Sequence, residues 1–124
     1  MSSEAIVLID HGSRRDEANA QIEELAAQVR TARPGVTVQT AHLEVVGPTL
    51  ENAIDSCVDA GATRIVVHPF FLSPGNHTTH DIPRLVDAAR RRHPSIEIAL
   101  SPHLGLDERI VSLVLARVDS APCA

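Results

Sequence analysis

The chain has 124 residues, a length that fits one domain able to bury about two-thirds of its unfolded surface, and residues 1–124 are read as one unit. A formal charge of −5 argues against a nucleic-acid backbone as partner, and no segment approaches the roughly 20 apolar residues that span a bilayer. Two cysteines make neither a disulfide framework nor a zinc module, and the start lacks a basic leader, so the expected setting is soluble and cytoplasmic.

The chain alternates strand and helix four times. Residues 5–10 form a continuous apolar run, typical of a strand buried on both faces. A helix over about 16–31 follows, with Ile22, Leu25, Ala26 and Val29 on one face and Glu23, Glu24 and Arg30 opposite. The run Arg33, Pro34, Gly35 stops it. A second strand spans 36–43, and Gly47, Pro48 and Thr49 open a helix that places Leu50, Ala53, Ile54 and Cys57 at helical spacing and closes at Gly61. Cys57 reads as a small buried hydrophobe and Cys123 as part of a frayed tail.

A third strand at 64–68 feeds a Pro/Gly-rich loop at 69–79, where Phe70 and Phe71 are expected as an exposed pair open to intersubunit contact. The third helix is expected to begin near Asp81, with Pro83 in its first turn, and to end by His93 and Pro94. Residues 96–100 make the fourth strand. The last helix, 107–118, is apolar around much of its girth, through Ile110, Val111, Leu113, Val114, Leu115 and Val118. Such a helix is either sandwiched in a core or shared with a partner subunit. The whole pattern predicts an α/β fold: a four-stranded parallel sheet with flanking helices, flavodoxin-like, in the order 2-1-3-4.

Ligands of open parallel sheets collect beyond the carboxyl ends of the strands. Three such ends carry chemistry here. Asp10, His11, Gly12, Ser13 and Arg14 follow the first strand, and glycine permits a tight turn beside a ligand. Taken alone, His11 is either a ligand or a residue packed at a strand end. His42 and Glu44 close the second strand, and alternation predicts that they share a face. Glu44 there can ligate a cation or accept a proton, or simply be solvated. In the third segment, His77 and His80 lie three apart beside Asp81, a spacing that shares one helical face and suits a first-row divalent metal, or a solvated polar loop. His68 reads as a satisfied buried histidine and His93 as a surface residue.

Four separated motifs then agree with one family. The run from Ile6 to Arg15, His42-Leu43-Glu44 with Pro48-Thr49-Leu50, the run from Pro69 to His77, and Asp81-Ile82-Pro83 resemble the small sirohydrochlorin chelatases. That family includes cobaltochelatases of cobalamin synthesis, sirohaem ferrochelatases and nickel-inserting relatives. The likeness extends from Ala5 to Val118. It implies a chelatase half-domain that pairs into a homodimer and inserts Co²⁺, Fe²⁺ or Ni²⁺ into sirohydrochlorin. The metal is then a substrate, and no prosthetic group is expected.

Carried over position by position, His11 and His77 match the family's metal-binding histidines, and Glu44 matches an acidic residue implicated in metal binding. Many relatives carry Glu, Arg or Gln where this chain has His80, which is either an additional metal ligand or a solvent-facing side chain. The tetrapyrrole is rich in carboxylates, so an acidic protein needs local cations; Arg14 and Arg15 are the expected substrate contacts, with Ser73 and Gly75 in the loop. Two other functions were weighed. A histidine phosphotransferase also has His-Gly after its first strand, but Asp10 would repel phosphate. A non-catalytic metal or tetrapyrrole carrier would use the same ligands without turnover.

Overall fold

The structure, a computed structural model, describes residues 3–73 and 75–122; the side chains of residues 76–79 also lie outside that description. Four strands and four helices alternate: β1 (Glu4–Asp10), α1 (Asp16–Ala32), β2 (Thr37–His42), α2 (Leu50–Asp59), β3 (Arg64–Pro69), α3 (Asn76–Arg92), β4 (Glu97–Leu100) and α4 (Glu108–Asp119). The sheet is parallel throughout and runs β2-β1-β3-β4, the order expected from the sequence.

One face of the sheet carries the larger core. Val7 and Ile9 of β1, with Ile65 and Val67 of β3, pack under Ile54 and Cys57 of α2 and Ile82 and Val86 of α3. The apolar runs demand this, because a central parallel strand must hide both faces. Burial pushes the Cys57 thiol up to about 11, consistent with a side chain acting as a hydrophobe. A reciprocal cap starts α2: the Asn52 amide donates to Thr49 Oγ1 at 3.1 Å, and the Thr49 amide donates to Asn52 Oδ1 at 3.2 Å.

On the opposite face, Ile22 and Ala26 of α1 cover Leu8 and Val38. The cover is partial. Ile6, Leu8, Val66 and His68 share an open recess of about 460 Å³ with Val29 and Arg33. Helix α4 buries no residue: Val111, Val114 and Val118 stay at least half exposed. The expected choice between a sandwiched helix and a shared one is thus narrowed, since within the described residues α4 is not sandwiched.

Two expectations about the third crossover need correction. Helix α3 starts at Asn76 rather than near Asp81, so Pro83 lies inside the helix instead of in its first turn. Phe71, read with Phe70 as an exposed pair, is only 7 % exposed and belongs to the core, while Phe70 is exposed. His93 is not a free surface residue either. Its Nε2 lies 2.8 Å from Asp55 Oδ1, and that contact, ahead of Arg92, holds the Asp55 carboxyl below its ordinary value.

Candidate functional site

The end of β1 lies at the carboxyl edge of the sheet, between the ends of β2 and β3. His11 is the first residue past the strand and is exposed. Its ring rests on Phe71, with centroids 4.4 Å apart and planes inclined by 50°. Together with Gly12, Ser13, Asn19 and Phe70 these two residues line a shallow cleft of about 240 Å³. The buried phenyl ring gives the imidazole a fixed wall, so its position is set by the core.

The loop after His11 is wired along its length. Gly12 adopts φ +87°, and a Cβ there would meet the Glu44 carbonyl oxygen at 2.0 Å, so only glycine fits. The Gly12 amide donates to Asp10 Oδ1 at 3.0 Å. The Ser13 amide donates to Asn19 Oδ1 at 2.9 Å, and Asn19 Nδ2 donates back to the Ser13 carbonyl at 2.7 Å. The Arg15 amide donates to Ser13 Oγ at 3.0 Å, closing a local turn rather than capping α1, whose start has no side-chain cap.

The end of β2 joins this loop. The Leu43 amide donates to the Asp10 carbonyl at 2.8 Å, and the Glu44 amide donates to the His11 carbonyl at 3.0 Å. Two backbone bonds therefore continue the pairing past the strands and set the carboxylate-bearing residue beside the imidazole-bearing one. The shared face expected for His42 and Glu44 does not form. The strand ends at His42, which is buried, while Glu44 is exposed in the bend that follows, next to Val45 at φ +76°.

The remaining candidates divide. Arg14 and Arg15 are exposed at the loop's outer end; Arg15 faces Glu17 at 3.5 Å. Ser73 and Gly75 are exposed between β3 and α3. His77 falls in the first turn of α3, and its side chain lies outside the described residues. His80 is exposed on α3, beside an Asp81 that pairs with Arg84 at 2.9 Å. Among the described residues, no three His, Cys, Asp or Glu side chains gather as a metal-holding group. Roles the sequence did not single out are Asp10 as a structural acceptor, Asn19 as a clamp on the Ser13 turn and Phe71 as the support of His11. For Asn19, its hydrophilicity on an otherwise patterned helix start was the available signal.

This edge can be compared with known proteins. The CbiX family model matches residues 5–121. The chain belongs to the CbiX family. Among its relatives in this family is the chloroplastic sirohydrochlorin ferrochelatase of Arabidopsis thaliana, 35% identical over 116 residues that make up 94% of this chain and 52% of that protein. The sirohydrochlorin cobaltochelatase of Methanococcus maripaludis is 29% identical over 94% of this chain and 98% of its own length. Among solved structures, the cobalt complex of the sirohydrochlorin chelatase SirB from Bacillus subtilis subspecies spizizenii superposes with a TM-score of 0.87 at 32% identity, covering 94% of this chain and 50% of that one. This CbiX chain thus spans about half the length of several relatives and the full length of others.

Proposed function

We propose that the chain inserts a divalent metal, Co²⁺, Fe²⁺ or Ni²⁺, into sirohydrochlorin, acting as a single chelatase half-domain. The observation that carries this reading is the Glu44-to-His11 backbone bond of 3.0 Å. It sets the backbones of two exposed residues, a histidine and a glutamate, side by side at the carboxyl edge of the sheet, in a family whose members include sirohydrochlorin ferrochelatases and cobaltochelatases.

Metallation of a free-base tetrapyrrole exchanges one hydrated dication for two pyrrolic protons. The metal must lose water and the ring must lose protons. A loosely held ion with open coordination positions meets the first need, and imidazole with carboxylate suits first-row divalent ions. His11 and Glu44 are assigned that task, with His77 as the other imidazole and His80, on the same helix, as a further candidate ligand. Glu44 or an imidazole not engaged by metal accepts the departing protons. Arg14 and Arg15 are assigned to the substrate's carboxylates, with Ser73 and Gly75 lining its approach. The metal is consumed as substrate, and the proposal includes no prosthetic group.

The proposal includes a homodimer. Its support is the exposed apolar surface of α4 together with the groove of about 590 Å³ between α4 and Phe70, Leu72 and Leu104. The proposed setting is cytoplasmic; among the described residues no helix is long and apolar enough to cross a membrane.

Anaerobic incubation with sirohydrochlorin and each metal in turn, followed by the absorption of the macrocycle, tests the assignment. A carrier would bind ring or metal in stoichiometric amount without accelerating their union. A chelatase gives a rate above the uncatalysed one with at least one of the three metals.

A further inference from the structure

We propose that Asp10 and His42 form a positioning pair that holds His11 and Glu44 at a fixed spacing. The inference rests on the reading that His11 and Glu44 act on the metal, but the pair itself is defined by geometry alone. Asp10 and His42 are the last residues of β1 and β2 and stand directly opposite each other in the ladder. His42 Nδ1 lies 2.5 Å from Asp10 Oδ1. A carboxylate only accepts, so Nδ1 is the nitrogen that carries hydrogen.

The same Oδ1 also accepts the Gly12 amide at 3.0 Å. One oxygen therefore ties a side chain of the neighbouring strand to the turn that carries His11. On the other side, the His42 amide donates to the Pro48 carbonyl at 2.9 Å, which anchors the return of the Glu44 bend. His42 is 4 % exposed, and its Cβ lies 3.1 Å from the point where a Gly12 side chain would begin. His42 is thus enclosed behind the turn, while Asp10 lies between it and the cleft, whose wall it shares with His11 and Gly12.

This placement gives the pair a task that the ladder does not perform. The β1–β2 ladder ends at Asp10 and His42, and past it His11 and Glu44 are joined by the Leu43-to-Asp10 and Glu44-to-His11 backbone bonds, an extension that a side-chain contact can brace. The carboxylate–imidazole contact braces it through Gly12 on one side and the Glu44 bend on the other. A charge-assisted hydrogen bond is shorter and stiffer than a neutral one. Reacting groups displaced by about 1 Å lose much of the benefit of pre-arrangement. Asp10 and His42 are therefore positioning residues, acting through the two that face the cleft.

Asp10→Ala, His42→Phe and Asp10→Asn, each in the full chain, test the pair. Two readouts apply: amide hydrogen exchange of Gly12 and Glu44 in the metal-free protein, and titration with Co²⁺ alone followed by its visible spectrum. Asp10→Ala and His42→Phe are expected to speed exchange at Gly12 and Glu44 by about tenfold while the buried amides of Val7 and Val67 keep their protection. The same two variants should weaken Co²⁺ binding by about tenfold or more and alter its spectrum. Asp10→Asn keeps an acceptor oxygen and should restore most of both. Wild-type exchange at Gly12 and Glu44 in the first two variants would overturn the proposal, as would an Asp10→Asn variant no better than Asp10→Ala. If wild-type protein does not bind Co²⁺, the chelatase reading fails, while the exchange pattern still decides for or against the pair.

Discussion

The His11 ring packs against Phe71 at a centroid distance of 4.4 Å, so the exposed imidazole of the cleft is supported by a side chain of the buried core. Phe71 follows β3, and its place under His11 couples two strand ends through one ring contact. Truncating it should therefore hurt twice. Phe71→Ala is expected to cost about 3–5 kcal/mol of stability. Phe71→Leu should cost about 1–2 kcal/mol, leaving the chain folded but the imidazole less well held. Denaturant unfolding and metallation rates on both variants check this; a Phe71→Leu protein with unchanged metallation would show that the contact does not position His11.

Gly12 admits no substitute. Its φ of +87° is unfavourable for any side chain, and a Cβ would collide with the backbone oxygen of Glu44 at 2.0 Å. Gly12→Ala is expected to cost about 2–3 kcal/mol. Metallation should fall further than stability, because relief of the clash pushes the Glu44 bend away from His11. The comparison to make is the residual rate under conditions where the variant is fully folded by circular dichroism. Near-wild-type values in both measurements would contradict the geometry.

The apolar side of α4 should be covered by a second copy. A stable interface buries at least about 1,000 Å², and Val111, Val114 and Val118 present a continuous half-exposed stripe for it. Sedimentation at micromolar concentration is expected to give a dimer, and Val114→Glu to shift it toward monomer with loss of chelatase activity. A fully active wild-type monomer would remove the dimer from the account.

His68 predicts an acid-side loss of stability. Burial, opposed by a hydrogen bond to the Pro102 carbonyl and reinforced by nearby His103, lowers its pKa in the folded state. The fold therefore favours neutral imidazole, while the unfolded chain takes up a proton below about pH 6.5. The unfolded state then binds more protons, and stability falls as pH drops through about 6.5 and further until the folded pKa is reached. Urea unfolding of wild type and His68→Phe between about pH 7.5 and 5 should show the difference between them changing in that direction. Parallel curves would count against it.

Much of the fold was legible because its punctuation is local. Gly61 at φ +97° ends α2 and the continuous apolar run of β1 marks a central strand, both readable without knowing the partners. The start of α3 was not, because its first turn has the composition of a loop and Pro83 resembles a helix opening. Phe71 misled for a different reason: hydrophobicity alone does not tell which of two adjacent phenylalanines turns inward. At the site, His11 and Glu44 were legible from strand ends and motif. The Asp10–His42 contact joins residues 32 apart in sequence and is defined only once the β1–β2 register is known.

The most direct measurement is turnover. With protein at a small fraction of the sirohydrochlorin concentration, anaerobically and with Co²⁺ or Fe²⁺, the wild-type chain should metallate many equivalents of substrate. His11→Ala should lose about 100-fold or more of that rate, as expected when a metal-handling group is removed, while keeping its unfolding free energy within about 0.5 kcal/mol of wild type as an exposed residue should. Product that stops at one equivalent per chain, or a His11→Ala rate equal to wild type, would contradict the assignment.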